Sequence, residues 1–188
     1  MSSAIETTVI PHSIAVRVTH WLTTASFLCL LISGGAILIA HPRFYWGETG
    51  GVDMPSLFDL PIPFTFGHTG WGRYLHFLAA WACVITGAVY LTYCLLAGDE
   101  KARRSYNRLQ RMTYLVVVFL LFPLMIVTGL AMSPAITSVV PWLATMFGGH
   151  QSARTLHFFS TCALVVFLFG HVTMVSLAGL KRLRTMIV

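Results

Sequence analysis

Charge is what this sequence has least of. Only 10% of its 188 residues are Asp, Glu, Lys or Arg, where a soluble domain carries about 25%. Acids are the scarcer sign, six against twelve Lys and Arg. None of the six falls inside a long apolar run, which argues against a transporter, whose pathway needs carboxylates within the membrane. Cysteine is sparse too. Cys29, Cys83, Cys94 and Cys162 all sit in apolar runs, with no Cys-x-x-Cys and no Cys-x-x-Cys-His. That spacing excludes covalent c-type haem attachment and a cysteine-held cluster, and the four read as small apolar packing residues. The chain also shows no nucleophile beside a base, no carboxylate pair and no phosphate loop, so it has no evident substrate chemistry of its own. No low-complexity tract and no repeat of a whole apolar run is visible.

What remains is apolar. Hydrophobic residues make up 56% of the chain, and the runs almost free of charge define four spans, at about 14–40, 72–98, 110–132 and 153–180. Each can cross the roughly 30 Å hydrocarbon core as a helix, the form that satisfies its own backbone in lipid. The expected fold is an all-α transmembrane four-helix bundle forming a single domain over residues 1–188. Residues 41–73 and 133–154 are expected as loops on one side, and 99–111 as a basic loop on the other.

Lys and Arg give the orientation. Arg17, Lys101, Arg103, Arg104, Arg108, Arg111, Lys181, Arg182 and Arg184 lie on one side; Arg43, Arg73 and Arg154 lie on the other. By the positive-inside rule both termini are expected in the cytoplasm. The net charge of +6 then reflects topology rather than nucleic-acid binding. No basic flank, short apolar stretch and small-residue cleavage site occur in that order at the N-terminus, so no removable signal peptide is expected.

Within these spans stand four histidines, His20, His76, His157 and His171. An imidazole in hydrocarbon is costly unless its nitrogens are satisfied. Three of the four follow an arginine by three residues: "RVTH" (Arg17, His20), "RYLH" (Arg73, His76) and "RTLH" (Arg154, His157). On a helix this spacing puts both side chains on one face, with the guanidinium a turn nearer the water. A b-type haem requires such a pattern, axial imidazoles inside and bidentate cations for its propionates at the interface. The alternative for each residue alone is a hydrogen-bonded packing histidine and an interface-anchoring arginine.

Depth pairs the rings. His157 and His171 are fourteen residues apart on the fourth span, roughly 21 Å along the axis and about 40° from the same face. One helix can therefore serve two stacked haems. His76, opening the second span, matches His157 at the outer level; His20, opening the first, matches His171 at the inner level. Gly34, in "SGG", lies fourteen residues after His20 and is expected where a macrocycle approaches the first helix, or else as a small residue for helix packing. Pro123 is expected to kink the third span, which supplies no ligand. His12, His41, His68 and His150 fall in tails, loops or a span edge and are expected to be solvated.

These residues resemble the four-helix di-haem cytochrome b subunits of bacterial membrane redox enzymes. This cytochrome b561-like group includes the gamma subunit of formate dehydrogenase and the cytochrome b subunits of nickel-iron hydrogenase and thiosulfate reductase. The resemblance covers essentially the whole chain and rests on "RVTHWL", "GWGRYLHF", "YNRLQRMTYL", "TGLAM", "ARTLHF" and "FGHVTMV". It implies two b-type haems and exchange of electrons with a quinone near the inner haem. Asn107 becomes a quinone-site candidate, and Gln110 a looser one. A fifth helix present in some relatives is not expected after Leu180. The function so implied is electron transfer between the quinone pool and a periplasmic redox partner, a molybdenum or iron–sulfur enzyme or a soluble cytochrome. The acidic, aromatic loop 41–73 would be its docking surface. Lipid is the other expected contact, self-association stays open, and nucleic acid is not expected. The alternatives are a self-contained quinone-linked oxidoreductase acting on a small species such as superoxide, and a haem-free transporter or assembly protein.

Overall fold

A computed structural model describes residues 13–51, 53–62, 70–97 and 108–177. Four of its helices are long and apolar enough to cross a membrane. The first, α1, spans Ile14–Ala40 and opens on Ser13, whose hydroxyl accepts from the Val16 N–H at 3.4 Å, a side-chain cap for one orphan donor. It ends at His41, whose N–H bonds back to Ile37 and Leu38, just before Pro42, whose missing N–H and ring oppose further helix. The second, α2, spans Gly70–Ala97.

The third membrane helix has three parts: α3 (Arg108–Val116), a π-helical segment (Val117–Leu121) and α4 (Phe122–Ala131). In the middle part the Phe122 N–H reaches five residues back to the Val117 carbonyl. Pro123 follows at once, so the irregularity expected at this proline takes the form of a widened turn that precedes it. Two short helices, α5 (Pro134–Thr137) and α6 (Trp142–Thr145), lead to α7 (His150–Leu177).

Hydroxyls along these helices mostly bond to carbonyls one turn back, as in Thr24 to His20, Thr86 to Ala82 and Ser160 to Leu156 at 2.8 Å each. This satisfies them where no water is available. Large apolar side chains such as Leu78, Val166 and Phe169 face outward, the surface that lipid requires.

Packing divides the bundle into two pairs, α1 with α2 and α4 with α7. A Thr23–Thr86 hydroxyl contact at 3.0 Å ties the first pair. Ala131 and Ala153, both fully buried, let α4 and α7 approach closely at the second, with Leu143 of α6 beside them.

Within the loop expected at 41–73 the described residues include a β-hairpin. Here β1 (Arg43–Phe44) pairs antiparallel with β2 (Phe58–Asp59), Arg43 opposite Asp59 and Phe44 opposite Phe58. The hairpin is docked on the start of α7. Phe44, 1% exposed, packs against Phe58 and Phe158 with ring centroids 4.7 and 4.5 Å away. The Thr155 hydroxyl donates to the Tyr45 carbonyl at 2.8 Å, and the Gly47 N–H donates to Ser152 Oγ at 2.8 Å. A carboxylate oxygen of Glu48 accepts from the His150 N–H at 3.2 Å, a negative charge at a helix N-terminus. Sequence reading expected α2 and α7 to begin later, at 72 and 153. The structure starts them at Gly70 and His150, because "GWG" and "HQS" are wound into helix and, in the second case, capped by the distant hairpin.

Candidate functional site

Four half-buried histidines stand on the membrane helices beside buried hydroxyls such as Ser33 and Thr128. Each of the four lies about two turns in from a described end of its helix. They meet in two pairs that cross between the helix pairs. Toward the hairpin end, His76 of α2 and His157 of α7 have ring centroids 6.3 Å apart. Toward the other end, His20 of α1 and His171 of α7 are 6.4 Å apart. These are the pairings that helix depth predicts.

The hairpin-end pair is held by two matching brackets. His76 Nδ1 lies 3.0 Å from Ser33 Oγ on α1, and His157 Nδ1 lies 2.9 Å from Thr128 Oγ1 on α4. Each hydroxyl already donates its proton one turn back, Ser33 to the Cys29 carbonyl and Thr128 to the Leu124 carbonyl, both at 2.6 Å. Each is therefore an acceptor toward the ring, and Nδ1 carries the hydrogen. The tautomer that follows leaves Nε2 with its lone pair, the form that ligates a metal. Directly after each hydroxyl comes a glycine whose added Cβ would lie 3.5 Å from the ring, Gly34 against His76 and Gly129 against His157. Hydroxyl and glycine thus recur side by side at 33, 34 and at 128, 129.

The other pair is lined differently. The Tyr114 hydroxyl, from α3, lies 3.3 Å from His171 Nδ1. Phe167 and Tyr114 flank the His171 ring, and Trp21 meets His20 edge-on. Tyr114 also holds a place comparable to His20. Ser33 follows His20 by thirteen residues and Thr128 follows Tyr114 by fourteen, and the extra residue coincides with the π-helical segment.

The donor set fits a haem better than a bare ion. Among the described residues no three His, Cys, Asp or Glu come together, so an ion at either pair would find two protein ligands. Haem iron needs only axial ligands, since the macrocycle fills its other positions. With metal–imidazole bonds of about 2 Å and a ring nitrogen about 1.1 Å from its centroid, two rings on one iron stand roughly 6.2 Å apart. Both observed separations are close to this.

The arginines differ in their surroundings. Arg73 is exposed one turn before His76, and Arg17 is half-buried one turn before His20. Arg154 reaches sideways to the hairpin. Its guanidinium donates to the Arg43 carbonyl at 2.9 Å and to the His41 carbonyl, and its charge sits 4.8 Å over the Phe44 ring. Asn107, His12 and His68 lie outside the described residues, as does the side chain of Gln110. His41 is exposed, whereas His150 opens α7 with Nε2 3.4 Å from the Met132 carbonyl. Cys29, Cys83 and Cys162 are free thiols.

Sequence reasoning missed Ser33, Thr128, Gly129 and Tyr114. A hydroxyl residue followed by glycine within an apolar run, in "SGG" and again in "TGL", was the available signal.

A four-helix membrane bundle with imidazoles paired across its interior is the scaffold of a membrane b-type cytochrome. The chain belongs to the prokaryotic cytochrome b561 family, whose family model matches residues 11–188. It is 30% identical over 195 residues to a putative protein-methionine-sulfoxide reductase subunit, YedZ1, of Azospira oryzae, covering 88% of this chain and 90% of that protein. Membership in the family implies b-type haem and makes this a multi-pass bacterial membrane protein.

Proposed function

We propose that the chain is the membrane electron-transfer subunit of a two-component oxidoreductase, carrying two b haems, one at His76 and His157 and one at His20 and His171. The observation that carries this reading is the pair of ring separations, 6.3 and 6.4 Å, at two depths of one bundle. Haem, when bound, supplies a one-electron couple. The protein's part is to hold four imidazoles in two pairs, His76 and His157 in the ligating tautomer, to exclude water with apolar helices, and to set the depth of each site.

Two ligands on α7 put the sites at different levels, roughly 21 Å apart along the helix. Electrons thereby cross most of the membrane. The quinone pool serves the end with Tyr114 and His171, with Asn107 the candidate that the family resemblance implies. A redox partner serves the hairpin end. The distribution of Lys and Arg supports cytoplasmic termini, and hence a periplasmic hairpin. The hairpin and nearby loop expose Trp46, Met54, Leu57 and Trp142, together with the acids Glu48, Asp53 and Asp59, a mixed surface suited to protein docking. The name of the Azospira relative, a reductase subunit, supports a separate catalytic partner.

Quinol reduction tests the reading. Added quinol should reduce the purified protein, seen as the Soret shift of ferrous haem. Reduction by dithionite but not by any quinol would overturn the quinone link. Gentle detergent extraction should bring a redox enzyme down with the coloured band.

A further inference from the structure

The two histidine pairs differ in what holds them, and this difference has a redox meaning. At the hairpin end both rings give their Nδ1 hydrogen to a hydroxyl oxygen, Ser33 at 3.0 Å and Thr128 at 2.9 Å. Those hydroxyls cannot reverse the bond without abandoning the 2.6 Å bonds they make to Cys29 and Leu124. Ser33 and Thr128 are themselves fully buried, so no water competes for their oxygens. At the other end His171 faces a tyrosine phenol at 3.3 Å, a longer contact to a different kind of group.

We infer that Ser33 and Thr128 are positioning residues that set the reduction potential of the haem at His76 and His157, holding it below the value the same ligands would give without them. An imidazole whose far N–H is engaged by a good acceptor is a more basic ligand. A more basic ligand favours ferric over ferrous iron and lowers the potential. Ser33 and Thr128 treat the two axial ligands of one site alike, and it is the rings of that site that they meet. The hydroxyls therefore act on one haem only. This inference rests on the haem assignment above and adds a function for residues outside the ligand set.

The test is a redox titration of purified Ser33→Ala and Thr128→Val proteins beside the parent. Pyridine haemochrome content is measured first in the parent, since a parent without haem defeats the assignment itself rather than this inference. With haem present, each variant should raise the midpoint of one haem, leave the other unchanged, and move the ferric low-spin signal of that haem in electron paramagnetic resonance. The double variant should shift further than either single one. Ser33→Thr and Thr128→Ser, which keep the hydroxyl, should stay at the parent midpoint. If one deletion variant loses the haem, the other is still read against its own conservative partner. Unmoved midpoints in the deletion variants would overturn the inference, as would an equal shift in the variants that retain the hydroxyl.

Discussion

At His76 and His157 the position of one proton decides what the ring can do. Ser33 and Thr128 are each committed to a carbonyl one turn back, so both rings keep their hydrogen on Nδ1 and their lone pair on Nε2. Composition alone could not have shown this. Ser33 and Thr128 read as ordinary small helix residues, and which of them touches a ring depends on how the helices are rotated. The histidines were legible because an imidazole among aliphatic side chains demands a partner, and because Arg-x-x-His recurs. The arginines were less so, since their reach is long. Arg154 bonds to the backbone carbonyls of Arg43 in the hairpin and His41 at the end of α1, partners that their distance in sequence hides. Ligation is testable at this scale. His76→Ala and His157→Ala should each halve the haem content and remove the same spectral component, while His20→Ala and His171→Ala remove the other. Haem quantitation with low-temperature spectra of all four variants checks it. Retention of both components in any two variants of one pair would contradict the pairing.

Whole elements carry a second set of constraints. The hairpin is held to α7 by a turn that only glycine fits. Gly149 has φ +118°, and a Cβ there would lie 2.5 Å from the backbone of Gly47 and Glu48. Gly149→Ala should lower stability by at least about 1–2 kcal/mol from the backbone conformation alone, with the steric clash added, read as a lower midpoint of thermal unfolding in detergent. Phe44→Ala removes a side chain 1% exposed and should cost about 3–5 kcal/mol; faster proteolysis within residues 43–59 would report it. Two-residue strands are too short to show a period of two, so this hairpin was invisible in the sequence, as was its capping of α7 by Glu48. The spans themselves were plain, because long runs without acids allow little else. In the third membrane helix the π-helical segment absorbs one residue between Tyr114 and Thr128. Deleting Val118 should convert it to regular helix and leave the haem content unchanged. Deleting Val165 in α7 should instead turn His157 relative to His171 by about 100° and remove one haem. Equal haem loss in both deletions, by quantitation, would show that the π-helical segment has no such role.

The whole molecule is two helix pairs joined by what lies between them. Helix α1 packs on α2 and α4 on α7, and across the gap stand two ring pairs at different heights. Four apolar helices could bury themselves without any histidine; the proposed haem sites give the paired rings a reason to be there. The hairpin and the short helices α5 and α6 close one end and offer exposed tryptophans and acids there, which gives the molecule distinct ends. The account rests on iron bound between the pairs, and haem stoichiometry tests that most directly. Protein purified from cells that make haem should give two b haems per chain by pyridine haemochrome assay. A preparation with a single haem would leave one of the ring pairs unexplained, and one with no Soret band would contradict the account as a whole.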